Sequence, residues 1–314
     1  MTEIPTPENF LELSLVADKF VEQASRAIVF ELDKLPGARH SDSSLAETAI
    51  ACAKLLEEKY NEVLGAECKR TIEWFDAEPA FAMAFKCLSY VKVPENHWEG
   101  PILRELERWR ANVRLDRGPH AGSMALKIAR IPCHYLTYLS LVAGASYRYV
   151  SGIGHRAVIE GPSTIRRLKD LISELEDVLG AEWLPDDLRK NLGYSLRTGA
   201  ALRDLNTHDE NVFTPSRRND IDLPARLFAT DLLRIHQQIF QSFHKKSVFH
   251  LMGLSFVSRP LEMRTIERLA KSEMDAHREV VAKRIADRRG LDFEHVLTTL
   301  KANKSLIFPS QNQG

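Results

Sequence analysis

Residues 7–34, PENFLELSLVADKFVEQASRAIVFELDK, carry the pattern that decides the fold. Phe10, Leu13, Ala17, Phe20, Ala24 and Ile28 recur at alternating short steps. That is the period of an α-helix with one apolar face, not of a strand. Thr6-Pro7 sets a capping residue before a first-turn proline, and Pro36-Gly37 closes the segment.

The same period recurs along the chain. Ser44-Leu45-Ala46-Glu47 is a capping box opening a helix to about Leu64. Helices are expected over Glu67–Phe75, Pro79–Tyr90 and Ile102–Arg114, and over Ser123–Val150 with a kink at Pro132. Ser151 to Gly154 should end that helix, Val158-Ile159 reads as a short extended piece, and Pro162 as the start of a helix over Ile165–Leu179. Further helices are expected from Pro185 to about Thr207, from Leu223 to about Lys245, from Ser247, over Pro260–Arg289 and over Phe293–Lys301. Alternating strands are missing, which argues against Rossmann and barrel folds. The expected class is all-α: a multi-helix bundle of about ten helices with no substantial sheet.

Punctuation at residues 93–101 suggests an N-terminal helical region over 1–95, a helical bundle over 99–252, C-terminal helices over 253–302 and a loose tail over 303–314.

Forty-four per cent hydrophobic and 27% charged residues indicate a globular chain rather than a disordered one. Lys and Arg number 43 and so do Asp and Glu, so no global basic field advertises nucleic acid or an anionic membrane. Ile131–Val150 is the longest apolar stretch, but it holds Pro132, His134 and Arg148 and reads as a core helix rather than a membrane span. The acidic N-terminus lacks the apolar core of a signal peptide, and the expected compartment is the cytoplasm. Cys52, Cys68, Cys87 and Cys133 form no CxxC pair and are expected to be buried, reduced thiols.

A P-loop, GxSxG, HExxH, an EF-hand loop and GxGxxG after a strand are all absent from the sequence. The segment that suggests chemistry is residues 202–210, LRDLNTHDE, where Arg203 is followed by Asp204 and then, after a gap, by His208. Arginine stays charged and can hold two phosphate oxygens. Histidine titrates near neutrality and suits proton transfer. Other pairs share an R-x4–6-H spacing, namely Arg114/His120, Arg148/His155, Arg288/His295 and Arg289/His295. Only Arg203 has an acid or amide directly after it. In the polar loop that follows, Arg217 and Arg218 are candidate phosphate contacts.

This segment resembles the signature of the HEPN family, an all-helical family with many RNA-cleaving toxins and defence proteins. The resemblance implies a metal-independent endoribonuclease, or a degenerate RNA- or nucleotide-binding relative. Arg203 and His208 would be catalytic and Asp204 would orient one of them, with no metal and no cofactor. It also implies a homodimer, because one such pair supplies too few groups for acid–base catalysis. The dipeptide His208-Asp209 alone resembles the HD phosphohydrolases, which would need further ligands such as His134, His155, His236 or His250. His236 and His244 lie on roughly one helix face and are expected at its surface. The alternative to any enzyme is an all-helical interaction protein, in which Arg203 and His208 simply finish a helix.

Overall fold

The computed structural model describes residues 3–34, 42–88, 98–113, 121–131, 133–179, 181, 184–188, 190–191 and 220–302. Among the described residues there are helices and no strand, as the periodicity predicts. They are α1 (Pro7–Asp33), α2 (Asp42–Val63), α3 (Ala66–Ala77), α4 (Pro79–Cys87), α5 (Glu99–Val113), α6 (Ala121–Ala129), α7 (Cys133–Val150), α8 (Ile153–Leu179), α9 (Leu223–Phe240), α10 (Lys245–Leu251), α11 (Met263–Arg289) and α12 (Phe293–Ala302).

Helix α1 is the organising element. All six residues of its apolar stripe are buried, together with Val16 and Leu32. Thr6 caps it by accepting from the Asn9 backbone N–H at 3.4 Å. The stripe packs on α7, α6, α2 and α3. Phe10 sits in an aromatic nest, with ring centroids 5.8 Å from Trp74, 5.8 Å from Phe75 and 5.5 Å from Phe256. Edge-on contacts of this kind contribute beyond the area they bury. Helix α7 forms the second wall, burying Leu136, Tyr138, Leu139, Val142 and Ala143. Among the described residues no helix is long and apolar enough to cross a membrane.

One cluster of buried side chains runs from Phe10 to Ala270. A second, smaller one joins the C-terminal half of α11 to α12 through Ala282, Ala286, Val296, Leu297 and Leu300. Gly290 turns the chain between those two helices at φ 61°, a backbone state that glycine reaches without a Cβ clash.

Two local expectations need correction. The expected kinked helix over Ser123–Val150 is two helices, α6 and α7; Pro132 itself lies outside the described residues. Val158 and Ile159 are helical rather than extended, because α8 begins at Ile153 and runs through Pro162. The residue before a proline normally resists the helical state because its Cβ meets the ring. Here that residue is Gly161, which has no Cβ. The hydroxyls of Ser163 and Thr164 also donate to the Glu160 carbonyl, at 2.7 and 2.9 Å.

Candidate functional site

Arg203, Asp204 and His208, with Arg217 and Arg218, lie outside the described residues. The described chain resumes at Asp220 and is tied down at once. Arg226 donates to the Asp220 carboxylate at 2.9 Å, and Arg259 to that of Asp222 at 3.1 Å. These two ion pairs anchor the start of α9.

That end of α9 meets the turn between α7 and α8. Gly152, at φ 70°, folds the chain back, and the Ser151 hydroxyl accepts from the Ile153 N–H at 3.3 Å. Gly154 packs tightly, since a Cβ there would lie 3.3 Å from the Arg148 carbonyl oxygen. This turn brings Arg148 and His155, another R-x6-H pair, to one crevice with Tyr149, Pro224, Leu227 and Asp231. The crevice holds about 10 Å³, room for one water and not for a phosphodiester. Arg148 Nε lies 3.2 Å from Asp231 Oδ2. Burial raises the Asp231 pKa, and the Arg148 and Arg234 guanidiniums pull it back. Arg148 and His155 thus join a helix-packing network. Arg288, Arg289 and His295 are exposed.

Along α9 the network continues. Arg234 is gripped by Glu273 of α11 through two bonds, Nε to Oε2 at 2.7 Å and Nη2 to Oε1 at 3.1 Å. Beside them a cavity of about 470 Å³ opens between α9 and α11, lined by Arg234, Gln237, Gln238, Gln241, Glu273 and His277. Its volume suits a small molecule. The Arg234 charge is already neutralised by Glu273, so the lining favours a neutral polar ligand over a phosphate. Gln237 is buried, and its Oε1 has no hydrogen-bond partner.

Behind this cavity lies the feature that the sequence misplaced. His236 is not on the surface: it is fully buried, with Nε2 3.0 Å from the Tyr138 hydroxyl and the two rings stacked 5.7 Å apart. Burial, then the neighbouring His244, lowers its pKa to about 3, so the imidazole is neutral. Its Nδ1 makes no hydrogen bond, although the Phe243 backbone lies close enough to oppose the shift. Tyr138 is pushed above its ordinary range by the same burial. Nearby Ser247 opposes that rise, but its own buried Oγ makes no well-formed hydrogen bond. Sealed from solvent, this group clamps α7 to α9 and cannot receive a substrate.

Compared with known protein families, curated proteins and solved structures, the chain matches none.

Two of the cysteines are held as thiols by the core. Burial pushes the Cys52 thiol up to about 12 and the Cys68 thiol up to about 11, against the thiolate. Cys87, expected to be buried, is exposed at the end of α4. Among the described residues no group of three or more His, Cys, Asp or Glu side chains could hold a metal ion.

Proposed function

We propose that the chain is a HEPN-like, metal-independent endoribonuclease or an RNA- or nucleotide-binding relative of one, acting in defence or as a toxin. The observation that carries this reading is the spacing of Arg203 and His208, with Asp204 directly after the arginine. Its support is the strand-free helical character of the described residues. In this reading His208 takes the 2′-hydroxyl proton or returns one to the leaving 5′-oxygen. Arg203 stabilises the charge that builds on phosphorus. Arg217 and Arg218 hold flanking phosphates.

The test is to incubate purified protein with RNA and a chelator. The reading predicts fragments ending in 2′,3′-cyclic phosphate, and a loss of cleavage of at least about a hundredfold in His208→Ala. A thermal melt of the variant separates lost chemistry from lost fold. Intact RNA, or cleavage that survives the substitution, sinks the enzyme.

One observation favours a second reading, a non-enzymatic interaction protein: α8 carries a row of apolar side chains left open to solvent. Leu168 is 43% exposed, Leu171 50% and Val178 50%.

A further inference from the structure

Over its 27 residues α8 buries only Gly154, Gly161 and Leu179. Its N-terminal turns pack on α7 and α9, where Gly154 and His155 meet Pro224 and Leu227. Beyond Gly161 a second stripe turns outward. Leu168, Leu171 and Val178 are exposed and Leu175 is half-buried, recurring at steps of three and four residues. This is the seam of a helix that packs against another helix.

The flank of that seam identifies the partner. Arg167 and Glu174, both exposed, stand seven residues apart on one edge of it, one basic and one acidic. The opposite edge carries Ile165, Ile172 and Leu179, which turn toward the protein. A parallel copy would set Arg167 against apolar side chains. An antiparallel copy, related by a two-fold axis near Leu171, sets Arg167 beside the partner's Glu174, and the symmetry repeats the pair. The acidic residues sit against the helix's own interest as well. Glu174, Glu176 and Asp177 crowd its last turns, where no basic residue stands and the helix dipole disfavours negative charge. A guanidinium from outside relieves that placement.

We infer that the outward face of α8, centred on Leu171, binds the same face of a second copy of this chain, antiparallel, forming a symmetric dimer. The seam covers about three turns, small for a stable interface, so the dimer dissociates on dilution. This deepens the interaction reading and rests on it only in treating the α8 face as a contact surface. RNA cleavage does not enter it.

Sedimentation of the full chain across the micromolar range tests it. The wild type should show a mass that rises with concentration from one chain to two. Leu171→Glu should stay monomeric throughout. Arg167→Glu, which sets acid against acid twice, should weaken the dimer at least about tenfold. Adding Glu174→Arg to that variant should restore it, because the exchange recreates both pairs only in the antiparallel arrangement. All three positions are exposed, and helicity of each variant is checked by circular dichroism. If Leu171→Glu fails to fold, the charge variants decide alone. A wild type that is monomeric at every concentration overturns the inference. So does a dimer indifferent to Leu171→Glu, or a charge exchange that restores nothing, which would leave α8 covered by another segment or another protein.

Discussion

At the scale of single residues, His236 shows how burial sets chemistry. Its neutral ring sits against Tyr138 with a pKa of about 3, while in the unfolded chain it titrates near 6.5. Between those values the unfolded state binds a proton that the folded state refuses, so stability falls as pH drops through that window. Above about pH 7 the penalty is absent. By pH 5 it reaches about 2 kcal/mol. Urea unfolding of the wild type and of His236→Gln at both pH values checks this. The variant should be the less stable at neutral pH, and the gap should narrow by roughly that amount at pH 5. An unchanged gap would mean that His236 is solvated. Sequence pattern held the clue to its burial: Phe228, Leu232, His236 and Phe240 lie at successive four-residue steps along α9. His244 continues the same four-residue steps, and taking that face as the outer one hid the burial, because spacing alone cannot say which face of a helix meets the core.

At the scale of elements, strongly periodic helices were legible and their junctions were not. The α1 stripe in the sequence is the α1 stripe of the core, because tertiary packing rewards the same face that periodicity marks. Pro162 misled because a proline usually opens a helix rather than sitting inside one, and here Gly161 removes the clash that would break the preceding turn. The proline still costs α8 a backbone donor. Pro162→Ala restores that donor and should stabilise the protein by about 1–3 kcal/mol, read as a rise in the urea midpoint at constant slope. A fall would show that the proline ring itself contributes to packing or to restricting the unfolded chain. The candidate site was legible only as a motif: the residues that would carry phosphodiester chemistry, Arg203 and His208, fall outside the described residues. Arg148 and His155 share their type of spacing yet form a packing contact. Two residues at the right interval define a reach, not a cleft.

For the whole molecule, the two buried clusters set how it should come apart. Phe10 lies at the centre of the large cluster, fully buried among Trp74, Phe75 and Phe256, and joins α1 to α3 and to the chain beyond α10. Phe10→Ala should cost about 3–5 kcal/mol and lower the main unfolding transition as one event. Leu297 is as apolar and nearly as buried, but its neighbours are Ala282, Ala286, Val296 and Leu300, all within the α11–α12 hairpin. Only the N-terminal half of α11, through Ile266 and Ala270, belongs to the large core. Among the described residues, the side chains packed in that cluster give an emptied site at Leu297 no apolar path into α1 or α7. Leu297→Ala should open the hairpin locally, seen as faster amide exchange and proteolysis beyond Ala270, while the main midpoint hardly moves. A matching drop in the main transition would mean that the clusters fold as one unit, with the continuous helix α11 coupling them more strongly than side-chain contacts do.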